Sequence, residues 1–320
     1  MEVLTRREVL FLTTTKIGQL KVGDMLNQYV MIKQSYRGLA GNGKPYLTLI
    51  LCDESGEIET KVWDSADTDK YATKKIVHAS GEVMDYRGRT QLKLKQISII
   101  EGETDIAPYV RSAPIPKSEL EAGIRGYIEA IEHDGIKQLV TALVDRNEAA
   151  YFTYPAAVRH HHAVYSGLAY HVLSMLKLAD TICDLYPQLN RDLLVAGVVL
   201  HDLAKVIELS DAITPEYTLE GKLLGHLSLM ASEVEVVARE LGTDREVVTL
   251  LQHLVLSHHG KPEWGSANTP QLPEAEMLFF IDNIDARMNM FNKAFEGIEP
   301  GTFTERIMAL DNRAFYKPKL

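Results

Sequence analysis

The chain has 320 residues, 46% of them hydrophobic and 24% charged, with a formal net charge of −10 and two cysteines, Cys52 and Cys183. No apolar run approaches the roughly 18 to 20 residues of a membrane span, and two cysteines outside any CxxC pattern exclude a disulfide scaffold and fit a reduced, cytoplasmic protein. A net charge of −10 argues against nucleic-acid binding by the chain as a whole, yet residues 1–110 hold 15 basic and 15 acidic residues and the remainder carries the entire excess, so a local basic face stays open.

The opening MEVLTRREVLFLTTT has too short an apolar part and too many charges for a secretory signal. From about residue 14 to 104 the pattern is β. QYVMIKQSYRG and KPYLTLILCD are strand-like runs joined by the turn-rich GLAGNG. DESGE turns into the alternating EIETKVWD, and KKIVHASGEVMDYRGRTQLKLKQISII holds two more strands around Arg87-Gly88-Arg89. Five short strands in about 90 residues predict a Greek-key barrel of the OB type. SADTDKYATKK, between strands three and four, is expected to hold the short helix of that fold.

EGETDIAPYVRSAPIPKSE, with Pro108, Pro114 and Pro116 and no apolar period, reads as a linker. Beyond it the chain is helical nearly to its end. LEAGIRGYIEAI and GIKQLVTALV are amphipathic, with the first helix expected to start at Ser118. DLLVAGVVLHDLAKVIEL is apolar nearly all round and predicts one central buried helix. REVVTLLQHLVLSHHGKP stops at Gly260 and Pro262, and EAEMLFFIDNIDARMNMFNKAF forms a further helix. The predicted fold class is multidomain β + α: an OB-fold nucleic-acid-binding domain at 1–105, a linker at 106–117, and an all-α domain at 118–320.

The helical part scatters metal-ligand residue types over apolar positions: His171, His201-Asp202, His226, His258-His259 and Asp282. Imidazole nitrogen and carboxylate oxygen suit borderline and hard divalent metals. Seven such residues are too many for one tetrahedral site and about right for two cations sharing a bridging carboxylate, a device for attacking phosphate esters. An isolated His-Asp pair is most often a satisfied core hydrogen bond. Asp202 in a buried run of Leu and Ala needs a partner, however, because an uncompensated buried carboxylate costs several kcal/mol. Lys205, three residues after Asp202, projects from the same face and could pair with it or hold a substrate phosphate.

The order His … His-Asp … His … His-His … Asp resembles the HD superfamily of metal-dependent phosphohydrolases in its two-metal form. That resemblance implies one metal held by His171, His201, Asp202 and Asp282. It implies a second held by His226, His258 and His259, with Asp202 bridging, and Lys205 on the scissile phosphate as in the HD-x-x-K form. TKIGQLKVGD, PAAVRHHHAVYSGLAYHVLSM, VAGVVLHDLAKV, LSHHG and ERIMALDNRAFYKP extend the likeness over nearly the whole chain. With a barrel in front, the chain resembles the YhaM-type 3′→5′ exoribonucleases. Ala204 and Ala169-Tyr170 depart from the family pattern, and none of them is a ligand.

The resemblance implies a manganese-type hydrolase that releases nucleoside 5′-monophosphates from single-stranded RNA, with single-stranded DNA as a second substrate. The histidine-rich set suits two divalent ions, Mn²⁺ first, with Fe²⁺, Co²⁺ or Zn²⁺ as alternatives, better than Mg²⁺. On the barrel, Tyr36, Arg37, Lys44, Tyr46, Trp63, Tyr86, Arg87 and Arg89 are candidates to stack bases and track the backbone. The bland alternative makes Tyr46 and Trp63 barrel core. In the triplet His160-His161-His162, His161 and His162 are candidate substrate contacts, while His78, His133 and His253 read as structural. Two other readings compete. One is an HD hydrolase of nucleotides or cyclic dinucleotides with a regulatory barrel, weakened because HHGKPEWG holds no GYP motif. The other is a non-catalytic RNA-binding protein. A homo-oligomer is compatible with the sequence, and a membrane partner is not expected.

Overall fold

A computed structural model describes residues 15–102, 105–158, 162 and 164–320. The opening segment read as too charged for a signal, and His160 and His161, lie outside the described residues. The chain divides into two compact units, Met1–Ser112 and Ala113–Leu320.

The first unit is a closed five-stranded barrel in the order β1-β2-β3-β5-β4. Its strands are β1 (Met25–Leu39), β2 (Pro45–Asp53), β3 (Gly56–Trp63), β4 (Ile76–Tyr86) and β5 (Arg89–Ile99). All pairings are antiparallel except β3 with β5, which pairs parallel at Glu59↔Gln91 and Thr60↔Leu92. Strand alternation explains the interior: Leu47, Leu49 and Leu51 of β2 are fully buried, while Tyr46, Thr48 and Ile50 have the opposite parity and are only partly covered. The register shifts at Ile32/Gln34 and Ser80/Gly81 skip Lys33 of β1 and Lys95 of β5 in those pairings, and such bulges bend the strand that carries the extra residue. Arg87 and Gly88, both at positive φ, make the tight β4–β5 turn that the sequence predicts.

The helix expected in SADTDKYATKK does not form; the segment is a series of turns. Lys75 Nζ donates to the carbonyls of Asp69 and Lys70, which a helix would use for itself, and Lys74 sits at φ +68°. Tyr71 from this segment is buried against the barrel core. Cys52 and Cys183 are free and buried, and burial pushes the Cys52 thiol up to about 12, so it is no nucleophile.

The second unit is helical: α1 (Lys117–Glu129), α2 (Asp134–Arg146), α3 (Glu148–Tyr151), α4 (Gly167–Leu185) and α5 (Arg191–Leu200) come first. Then follow α6 (Lys205–Glu208), α7 (Leu219–Leu241), α8 (Arg245–Ser257) and α9 (Pro273–Phe295). α1 begins at Lys117, after Pro116, without a cap from the Ser118 hydroxyl. α5 is the central helix, with every residue from Leu193 to Leu200 buried and Asn190 Oδ1 capping its start. No helix among the described residues is long and apolar enough to cross a membrane.

His201-Asp202 does not lie mid-helix as the sequence suggests. α5 ends at Leu200, the chain turns through His201–Ala204, and α6 restarts at Lys205. The imidazole of His201 takes the Val198 carbonyl at 2.8 Å, the acceptor that the Asp202 N–H would use in a continuing helix. The backbone tightens instead to three-residue closures, Leu203 onto Leu200 and Lys205 onto Asp202.

Candidate metal centre

Five elements converge on one point. His171 comes from the first turns of α4, His201 and Asp202 from the turn after α5, and Asp282 from the middle of α9. His226 is delivered by a break in α7 at Gly225 (φ +70°, ψ 161°), a conformation only glycine adopts without strain. His258 and His259 follow the last residue of α8, where Gly260 (φ +77°) ends the helix.

The ring centroids run in a chain: His171–His201 5.4 Å, His201–His258 5.0 Å, His226–His258 5.6 Å and His258–His259 4.3 Å. Asp202 sits between two imidazole groups. Its Oδ2 is 3.4 Å from His201 Nε2, and its Oδ1 is 3.2 Å from His226 Nε2 and 3.8 Å from His258 Nε2. His171, His201 and Asp202 offer three ligand atoms within 4.8 Å of one another, and so do His226, His258 and His259. Asp282 Oδ1 is 3.2 Å from His171 Nε2. The fold thus gathers all seven candidates, in two sets that meet at Asp202.

The proton positions follow from the outer partners. Nδ1 of His201 and of His258 lie 2.8 and 2.7 Å from the carbonyls of Val198 and Val255. A carbonyl only accepts, so both Nδ1 atoms carry the proton. Burial, then the neighbouring imidazoles, holds His258 well below its usual pKa, so its ring is neutral and Nε2 presents a lone pair. Among the described residues, Nε2 of His201, His226 and His258, Nδ1 of His259 and Oδ1 of Asp202 are buried without a hydrogen-bond partner. Each orphaned acceptor costs about 1–3 kcal/mol, and a divalent cation among the His201, His226 and His258 Nε2 atoms and Asp202 Oδ1 would satisfy several of these lone pairs at once. Imidazole nitrogen with carboxylate oxygen is the donor set of a borderline divalent ion.

The electrostatics also favour positive charge. Burial alone would lower the His171 pKa, but Asp282 and Asp285 outweigh it and raise it to about 10. Burial would likewise raise the Asp202 pKa, but Lys205 and His201 hold it well below the usual carboxylate range. Lys205 Nζ is 2.8 Å from Asp202 Oδ2 and donates to the Ala156 carbonyl at 2.6 Å. Asp202, Lys205, His259 and Asp282 form one side of a cavity of about 360 Å³.

Two supporting carboxylates escaped the sequence reading. Asp285 Oδ2 accepts from His171 Nδ1 at 2.7 Å, and Glu208 Oε1 accepts from both the backbone N (3.2 Å) and Nδ1 (3.1 Å) of His226. Both fix which nitrogen faces the centre, as carboxylates behind metal-binding histidines do. Asp285 had a signal: it lies three residues after Asp282, on the same face of a helix.

His162 is not on the cavity wall, contrary to its candidacy as a substrate contact. It is buried behind His171, its Nε2 donating to Asp285 Oδ2 at 2.7 Å and its Nδ1 accepting from Asn289 Nδ2 at 3.4 Å. Asn289 Oδ1 takes the His162 backbone N–H, which orients the amide and the tautomer together. The three remaining histidines have structural partners. His78 packs on Tyr29, His133 caps α2, and His253 accepts from Gln271 N.

On the barrel, Tyr36, Trp63 and Tyr86 keep 53, 61 and 47% of their surface exposed. Trp63 is therefore not core. Tyr46 is half-buried, covering Gly38 and lying 5.2 Å from the Trp63 ring. Lys61, which the sequence reading passed over, holds its ammonium 4.4 Å from the Tyr46 centroid. It lies two residues before Trp63, hence on the same outer face. Of the basic candidates, Lys44 pairs with Asp64, Arg37 donates to Thr68, Arg87 lies over Tyr86, and Arg89 is exposed.

These features define a helical phosphohydrolase domain that follows an OB-type barrel along the chain, and a family model for the HD domain matches residues 168–287, a span that contains all seven candidates. Three relatives match almost end to end. The 3′-5′ exoribonuclease YhaM of Bacillus subtilis (strain 168) is 52% identical over 302 residues, 93% of this chain and 96% of that protein. Proteins of the same name from Bacillus licheniformis and Bacillus velezensis are 50% and 51% identical over 303 residues, again 93% of this chain and 96% of theirs. The chain belongs to the YhaM family. Its HD domain carries dependence on divalent metal, and its His/Asp groups can bind one.

Proposed function

We propose that this protein is a cytoplasmic, divalent-metal-dependent 3′→5′ exoribonuclease that shortens single-stranded RNA by one nucleoside 5′-monophosphate at a time, with single-stranded DNA as a weaker substrate. The observation that carries the reading is Asp202, whose two oxygens face two separate imidazole groups at the edge of a cavity with room for about one nucleotide. His171, His201, Asp202 and Asp282 would hold one ion, and Asp202, His226, His258 and His259 the other. When bound, two divalent ions, Mn²⁺ first, supply a water nucleophile ionised near neutral pH and neutralise phosphoryl charge.

The protein's own groups do the rest. Lys205, held by Asp202 and Ala156, presents an ammonium to the phosphate as charge builds on its oxygens. Val198, Val255, Glu208 and Asp285 keep the imidazoles in the tautomer that faces inward. The outer face of β1–β3, with Tyr36, Tyr46, Lys61 and Trp63, and the hairpin residues Tyr86, Arg87 and Arg89, hold the strand by stacking and charge. The 1–105 barrel and the 118–320 catalytic domain divide binding from chemistry.

The test is a 5′-labelled RNA incubated with the full chain and Mn²⁺. A ladder receding from the 3′ end, mononucleotide as product, and loss of both on chelation are expected. Intact RNA alongside cleavage of a cyclic dinucleotide would remove the reading. A narrower expectation concerns Glu208. Glu208→Ala should weaken divalent-metal binding about 10–100-fold, measured by competition with a chromogenic chelator. Glu208→Gln, which keeps an acceptor for His226 Nδ1, should retain most of it. Unchanged affinity in the alanine variant would show that the His226 ring needs no support.

A further inference from the structure

The candidate ligands and Lys205 account for the polar side of the cavity but not for the rest of its lining, which includes Trp264, Phe279, Met290 and one amide, Asn283. An apolar wall that served only to exclude water would bury its rings. Trp264 instead keeps 47% of its surface exposed. The loop that carries it is built to put it there. Gly260 and Gly265, at φ +77° and +92°, turn the chain back after His259. The Phe279 ring lies 2.4 Å from where a Cβ on Gly260 would sit, so any other residue there would displace that ring. The Trp264 amide donates to the Lys261 carbonyl at 3.0 Å, and the Lys261 ammonium is 4.9 Å from the indole centroid.

Trp264 and Phe279 are 5.8 Å apart between centroids at 42°. Rings already in mutual contact leave no slot for a base between them, so they make one continuous wall. Met290 adds an adaptable surface. Asn283 Oδ1 accepts from Arg287 Nε at 2.8 Å, which orients the amide and leaves its NH₂ to donate. One face for a planar ring and one donor, beside a phosphate-seeking centre, are the parts of a nucleotide subsite.

We propose that Trp264, backed by Phe279, stacks the nucleobase of the 3′-terminal nucleotide, and that the Asn283 amide donates to an acceptor on the same nucleotide. The identity of the strand rests on the exoribonuclease reading; the stacking site is a property of the cavity. Because every base has a π-face, such a site takes all four nucleotides.

The chain has two tryptophans, so Trp63→Phe leaves Trp264 as the sole indole emitter. Titration of that full-length variant with a nucleoside 5′-monophosphate should quench its fluorescence saturably. Ribose 5-phosphate, which has the phosphate and no base, should not. In parallel, the wild-type chain should lose about tenfold in kcat/KM when the 3′-terminal nucleotide of an RNA is made abasic. Trp264→Ala should show no such loss, and Trp264→Phe should restore it. Absence of quenching by the mononucleotide, or an alanine variant that discriminates against the abasic end as fully as wild type, overturns the stacking role. If the wild type shortens RNA while Trp264 ignores mononucleotide, the nuclease reading stands and the subsite is wrong. Quenching with no RNA shortening keeps the subsite and removes the nuclease.

Discussion

Asp202→Ala will abolish RNA hydrolysis, by at least about 10³-fold, and will strip the protein of bound divalent metal, while the helical circular dichroism spectrum persists. The argument is geometric. Asp202 lies within reach of both imidazole groups, 3.4 Å from His201 and 3.2 Å from His226. In the proposed two-ion site, removing it would take a ligand from each ion at once. The cost to the fold is separate. Lys205 loses its carboxylate partner, and breaking a buried pair costs about 3–5 kcal/mol, softened here because Lys205 keeps the Ala156 carbonyl. Asp202→Asn, with nearly the same volume and no charge, keeps the packing and should lose metal and activity alike. Elemental analysis and the labelled-RNA assay on both variants decide it. Either variant retaining full activity, or stoichiometric metal, would end the two-ion assignment.

Lys205→Met will lower kcat by about 10²–10³-fold, the loss typical of one preorganised charge-stabilising donor, with metal content retained. Methionine keeps most of the aliphatic stem and removes the ammonium. Burial by itself would lower the Lys205 pKa, but Asp202 more than offsets it and raises it, so the group stays charged. It lies within 2.8 Å of Asp202 Oδ2 and also faces the cavity. A charge placed to meet a phosphoryl group acts on the transition state, so kcat should fall far more than KM rises. A purely structural Asp202–Lys205 pair makes the opposite forecast: a lower Tm with kcat preserved. Steady-state kinetics and thermal melts on the same preparation separate the two.

The β-barrel was legible because strand parity is local. Leu47, Leu49 and Leu51 mark the inward face of β2, and Thr48 and Tyr46 follow outward from that alone. The same parity could have found Lys61 beside Trp63. The missing helix before β4 was not legible, because the competitor for its carbonyls, Lys75, acts through a side chain that folds back only in three dimensions. The break after α5 was hidden for a similar reason. Apolar periodicity continues through His201, and the imidazole bond to the Val198 carbonyl, which competes with the next helical turn, is marked by no apolar period.

Glu208, Asp285 and His162 show the same limit at the site. An acid or histidine on an amphipathic helix or turn reads as a solvated residue until a second element covers it. Glu208 and His162 are buried, and Asp285 joins His162 to His171 from a third segment.

By itself the sequence determined the periods of strand and helix and the kinds of atoms available to a cation, since both depend on residue type and near neighbours. The tertiary structure alone decided which nitrogen of His171, His201, His226 and His258 faces inward, that Asp202 spans two groups, and that Trp264 stands beside them. Those are distances between segments far apart along the chain, set by how α4, α5, α7, α8 and α9 pack, and no local pattern carries them.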